Sequence, residues 1–164
     1  MHTDLVEVIP SRSQELSFSG TPHARSTTLS GLRPDCQHQF IQQAFRDAGG
    51  VASGDQIAYL LRDRLDQPIS TVARWIVGRH VVSYVWRCQP MLPLFQFDLP
   101  RVAVHAPVAD VIRELRDVYA DCRLAMWFVE PNLWLDGARP VQLIGTSPLA
   151  VLDAARADRL VASH

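Results

Sequence analysis

Lysine is absent: all 16 basic residues of this 164-residue chain are arginine. An arginine-only set reads as the codon usage of a GC-rich genome more than as chemistry. Nor is there an excess of either sign. Residues 1–35 set three arginines against four acids, 36–100 six against five and 101–164 seven against eight, for a net charge of -1. No segment is a polycation, so bulk attraction will not drive tight nucleic-acid binding, and any such contact needs a locally organised site. Cysteine is scarce. Cys36, Cys88 and Cys122 are odd in number and widely spaced, which argues against a disulfide framework. No apolar run approaches the roughly 18 residues that span a bilayer. The first ten residues carry Asp4 and Glu7 and no basic stretch ahead of an apolar one, so no secretory signal is expected and the cytoplasm is the expected compartment.

The signatures of catalysis are missing as well. No glycine-rich phosphate loop follows a strand, no serine sits in a nucleophile elbow, and no paired carboxylates stand out. Cys36 and His38 are the one close pair of metal-ligand types, and two ligands do not make a zinc signature. The expectation is a protein that is not an enzyme, with no cofactor and no metal.

What is present is a globular composition, 48% apolar and 20% charged, enough to bury the core of one domain or two small ones. Residues 1–33 are rich in serine, threonine, proline and glycine and hold no periodic apolar face, so they read as a flexible tail in which only residues 5–9 have strand character. From Pro34 the period becomes helical. Phe40, Ile41, Ala44 and Phe45 precede a stop at Gly49-Gly50, and Ser53 precedes a second helix with Ile57, Leu60 and Leu61 on one face. After a polar connector, Ser70 is expected to cap a third helix over 71–77. Gly78 would close it in a left-handed conformation, with Val72, Trp75 and Ile76 inward. The period then turns to β. Residues 81–86 and 94–97 read as two strands, with Pro90 and Pro93 in the hairpin tip between them. Helices are expected again over 108–118 and 122–128. A loop over 130–138 follows, then a short helix from Pro140 to Ile144 and a last one from Pro148 to about Leu160.

Helix, helix, turn, helix, hairpin is the layout of a winged helix-turn-helix, in which the third helix offers its amino-terminal half to the major groove. The residues expected to contact DNA are Ser70, Thr71 and Arg74 on that helix, with Arg79 and His80 at the base of the wing. A solvated Arg74 on a small helical subdomain is the plainer alternative.

The stretch 67–75, Gln-Pro-Ile-Ser-Thr-Val-Ala-Arg-Trp, resembles the recognition-helix entry of excisionase-like and Xre-like regulators. Residues 125–144 carry a second resemblance. With Trp127, Pro131, Asn132, Leu135, Gly137, Pro140 and Leu143 in place, this stretch is similar to the toxin-binding domain of Xre/MbcA/ParS-type antitoxins. That likeness covers roughly 106–160. It departs from the family's pattern in the final helix, which matches loosely, and in a hairpin where an Xre domain would continue with helices. Much of the signature is also plain scaffold: Trp127 as core, Asn132 bonding its own backbone, Gly137 at positive φ and Pro140 opening a helix. Trp134 reads either as an exposed anchor or as packing under the last helix.

The resemblance implies a mainly α protein with a β-hairpin wing. It would comprise a tail over 1–33, a helix-turn-helix unit over 34–98 and a small antitoxin-like helical module over 99–164. It implies a type II antitoxin that represses its own promoter and neutralises a cognate toxin. Its partners would be double-stranded DNA, a RES-domain toxin engaged through Asn132, Trp134, Asp136 and Arg139, and a second copy in a homodimer. The alternative is a protein–protein interaction module, or a stand-alone regulator without a toxin partner.

Overall fold

The computed structural model describes residues 33–163. The expected tail, apart from Arg33, lies outside the described residues, and so does the strand-like piece at 5–9. Helix α1 (Pro34–Ala44) opens on a proline at its first turn, where a missing N–H costs nothing. It ends as Gly50 N–H returns to the Phe45 carbonyl at 2.8 Å, with Gly49 and Gly50 at φ 91° and 81°. Two consecutive left-handed residues suit glycine alone without strain. Strand β1 (Val51–Ser53) runs straight into α2 (Gly54–Leu61). Ser53 accepts from Gln56 N–H, and the Gln56 side chain accepts from Ser53 N–H, a reciprocal cap that satisfies two orphan donors. Then come α3 (Pro68–Val77), β2 (Tyr84–Trp86) and β3 (Gln89–Pro93), forming an antiparallel sheet in the order β1-β3-β2. A two-stranded ribbon, β4 (Phe97–Asp98) with β5 (Ala103–Val104), leads to α4 (Ala106–Leu115), α5 (Asp121–Val129), α6 (Pro140–Leu143) and α7 (Pro148–Ala162). The chain is mainly helical with a hairpin wing.

Four local expectations need correction. The prolines are not the hairpin tip. They lie in β3, and the tip is Arg87-Cys88, at φ 47° and 62°, the left-handed pair that a two-residue hairpin turn requires. Register explains why β3 tolerates them. Met91 is paired on both sides, with Ser53 and Tyr84, whereas Pro90 faces only Val85 and Pro93 only Val51, so each proline has a strand on one side alone. Residues 94–96 are a helical turn rather than a strand. There Gln96, fully buried, puts its amide where the ladder would continue. Val82 N–H donates to its Oε1 at 2.7 Å, and its Nε2 donates to the carbonyls of Val82 and Pro93, both at 2.9 Å. The side chain stands in for a peptide unit that a proline could not complete.

The other two corrections concern α3. It starts at Pro68, so Ser70 lies inside the first turn and caps nothing. Gly78 has φ −75°, and the left-handed residue is Arg79, at φ 50°. At 78 an added Cβ would stand 2.9 Å from the exposed His80 ring, which would have to turn aside, and 3.0 Å from the Arg74 carbonyl.

The sheet divides two apolar clusters, because successive residues of a strand face opposite ways. Ala52, Val81 and Leu92 join Ile57, Leu61 and Val72 of α2 and α3 in the smaller one. Val82, Tyr84 and Met91 join Ile41 of α1 and Phe45 just after it with the buried faces of α4, α5 and α7 in the larger. Residues on both sides of position 98 therefore share one core. His38 ties α1 to the hairpin: its Nδ1 lies 3.0 Å from the Tyr84 hydroxyl and its ring stacks on Trp86 at 3.8 Å. Burial pushes the His38 imidazole below its ordinary value, Asp35 pulls it back up, and Arg87 lowers it again.

Candidate nucleic-acid interface and partner surface

Helix α3 turns Val72 into the smaller cluster, with Trp75 and Ile76 packed against it, and the Trp75 ring stacks on Phe97 at 5.7 Å. The inward face is the one expected. The opposite face presents Ser70, Ala73 and Arg74, with Thr71 half-buried. Arg74 makes only a long bond to the Thr71 hydroxyl, 3.3 Å, so its guanidinium is free to turn outward. Ile69 and Val77 on this helix are 70% and 84% exposed, which gives the helix an apolar flank beside its single cation.

Arg79 does not join that surface. Its Nε donates to Asp121 at 2.9 Å, its Nη2 donates to the Tyr119 carbonyl at 2.8 Å, and its Nη1 donates to the Arg116 carbonyl. The guanidinium is spent on the α4–α5 connection. The expectation of a phosphate contact at Arg79 is therefore corrected to a structural clamp. His80 is exposed, with its N–H on the Trp75 carbonyl. Two arginines at the wing and turn were not foreseen. Arg87 at the hairpin tip lies 3.6 Å from Asp35 and over the Trp86 ring, and Arg62 covers Tyr59 at 3.8 Å. Arg87 could not be placed without knowing where the tip falls, whereas Arg62 sits at the end of α2, three residues from the ring it covers.

In the C-terminal half, one carboxylate organises the segment read as partner-binding. Asp158 of α7 accepts from Trp127 Nε1 at 2.7 Å, from Asn132 Nδ2 at 2.8 Å and from Trp134 Nε1 at 2.9 Å. An indole N–H is donor-only and must find an acceptor when covered; buried Trp127 finds it in Asp158, which the buried Asn132 and the exposed Trp134 share. Asn132 also accepts from Trp134 N–H at 2.9 Å, and its carbonyl takes Gly137 N–H. Asp136 and Gly137, at φ 54° and 81°, turn the chain back. Sequence reasoning missed Asp158, which looks like any acid on a solvated helix face. The one available signal was the need of Trp127 for an acceptor.

Trp134 itself is 59% exposed, its ring displayed and its N–H tied down. Beside it Leu133 and Val161 are exposed, and with Tyr119, Arg123 and Trp127 they line a groove of about 480 Å³. Arg123 sits over the Tyr119 ring and pairs with Glu130. Burial raises the Tyr119 phenol, with Asp158 adding to the shift, Arg123 opposing it and Glu130 adding a little more. Arg139, grouped with Trp134 by the sequence, lines a different cleft.

Among the described residues no group of three His, Cys, Asp or Glu side chains is placed to hold a metal, and no helix is long and apolar enough to cross a membrane. Comparison of the chain with protein-family models, curated proteins and solved structures returns no match.

Proposed function

We propose that this protein is a DNA-binding regulator of the antitoxin kind, acting in the cytoplasm as a dimer. The observation that carries this reading is connectivity: α1, β1, α2, α3 and a β2–β3 hairpin, with the sheet ordered β1-β3-β2, leave one face of α3 uncovered beside the wing. On this reading α3 enters a major groove, with Ser70, Thr71 and Arg74 toward base edges, and His80 and Arg87 near the backbone. The displayed ring of Trp134 supports a protein partner for the C-terminal half, since a fixed, half-exposed tryptophan suits an interface anchor. By the resemblance of residues 125–144, that partner is a toxin of the RES-domain type. Repression of its own promoter and steric cover of the toxin follow from the same resemblance.

A mobility-shift assay on the DNA upstream of its own gene, run across a salt series, tests the first half. Capture of the product of the neighbouring gene by the wild type and by Trp134→Ala tests the second. Sequence-specific retention that weakens with salt supports the reading, and no retention at low salt overturns it. The apolar flank at Ile69 and Val77 favours a second reading, in which α3 meets a protein rather than DNA. In that case the gel shift fails while partner capture depends on α3.

A further inference from the structure

A cleft of about 480 Å³ opens between the turn after α1, the helical turn carrying Phe95, the start of α4 and the α6–α7 connection. It is separate from both the α3 face and the Trp134 groove. Phe95, Val108, Val141 and Ile144 form its apolar wall. The Phe95 ring is fixed in place, 5.3 Å from the Phe45 ring and 5.0 Å from that of Phe128. Asp47, His105 and Arg139 complete the lining. Among the described residues none of these three side chains has an ion pair or hydrogen bond, although Arg156 and Arg159 on α7 are both held by Glu114.

The backbones at His105 and just before Arg139, by contrast, are pinned. His105 N–H donates to the Gln96 carbonyl at 2.8 Å, and the loop before Arg139 is closed by Asn132 N–H on the Ala138 carbonyl at 3.0 Å. An acid and a base that line one cleft without pairing with each other complement a ligand that carries both charges. The size of the cleft falls within the range of small-molecule sites, roughly 300–1,000 Å³.

We propose that this cleft binds a free aromatic α-amino acid. The Arg139 guanidinium takes the carboxylate, in the fork geometry that suits it. Asp47 takes the ammonium group. The side-chain ring lies against Phe95 and the aliphatic wall, and His105 adds a hydrogen-bonding ring to the rim. Because the lining draws on α1, the Phe95 turn and the α4 and α6 segments together, occupancy would brace the shared core of the two halves. This inference does not rest on DNA or toxin binding.

Isothermal titration of the full chain with L-phenylalanine and L-tryptophan tests it, with 3-phenylpropionate and phenethylamine as the single-charge counterparts. Saturable binding of an amino acid, weakened about tenfold or more in either counterpart, is the expected result. Arg139→Gln should abolish the preference over phenethylamine, and Asp47→Asn the preference over 3-phenylpropionate. Both residues are exposed, so both variants should fold. A Cβ added at Gly145, also in the lining, meets no atom within 4 Å; Gly145→Trp therefore adds bulk at the cleft and should block binding without unfolding the protein. Absence of saturable heat with both amino acids overturns the proposal. So does equal binding of the single-charge compounds, or binding that survives Arg139→Gln and Asp47→Asn unchanged.

Discussion

The indole N–H groups of Trp127 and Trp134 end on the two oxygens of a single carboxylate, Asp158, at 2.7 and 2.9 Å. One tryptophan is core, 3% exposed, and the other is display, 59% exposed, so one acid links the packing of α5 to the presentation of the loop. Asp158→Ala leaves the Trp127 and Asn132 donors without their acceptor and should cost about 1–3 kcal/mol. Trp134→Ala should keep stability within about 1 kcal/mol while partner affinity falls by about 2 kcal/mol or more. Thermal melting beside partner capture separates the two. A Trp134→Ala protein that melts as early as Asp158→Ala removes the anchor role.

Trp127→Ala deletes a buried ring from the larger cluster and should cost about 3–5 kcal/mol. Denaturant titration would show it as a lower midpoint, and a cost no greater than that of Trp134→Ala would mean that the core closes over the gap.

Gln96 should be intolerant of an apolar replacement. Gln96→Leu removes the partners of Val82 N–H, Val82 carbonyl and Pro93 carbonyl at once, each group costing about 1–3 kcal/mol if left buried and unpaired. Gln96→Glu keeps the acceptor for Val82 N–H and loses the two donated bonds. Urea unfolding should rank the wild type above both variants. A Gln96→Leu protein as stable as the wild type would show that the sheet does not need this amide.

Two arginines close in sequence should behave oppositely. Arg74→Ala should leave the melting temperature unchanged and weaken DNA binding by about 1–3 kcal/mol. Arg79→Ala should destabilise the fold by about 1–2 kcal/mol through its lost carbonyl bonds, its exposed ion pair with Asp121 adding little. Any loss of DNA binding at Arg79 should then follow the loss of folded protein. Circular dichroism melts run with gel shifts decide it.

Acid should loosen the contact between α1 and the hairpin. The folded protein holds His38 below its ordinary 6.5, chiefly by burial, so the unfolded chain binds the proton more readily. The stability this neutral ring contributes is complete above about 6.5 and is lost as pH falls through the lowered folded value. Melting temperature should drop between neutral and mildly acid pH, and His38→Gln should flatten that drop. An equal drop in His38→Gln assigns it to other groups.

Much of the helical layout was legible because its signals are local. Ser53 ahead of the second helix, the Gly49-Gly50 stop and the inward trio Val72, Trp75 and Ile76 each announce themselves within a few residues. The hairpin was misread because tolerance of Pro90 and Pro93 depends on which neighbour strand stops where, a tertiary fact. Arg79 and Asp158 were hidden for a related reason. Each satisfies groups some thirty to forty residues away, Trp127 and Tyr119 among them, and nothing beside them in sequence marks them out.

The sheet that parts the two apolar clusters also fixes what recombination can do with this chain. Ile41 of α1 and Phe45 just after it are packed in one cluster with α4, α5 and α7, although α1 belongs to the segment that carries α3. A transplanted C-terminal half would arrive without the pair of side chains that fills its own interior, and a grafted winged helix would bring a bare one. The two halves are inheritable only together: exchange of whole segments should cost folding, whereas substitutions on the exposed face of α3 or around Trp134 should not.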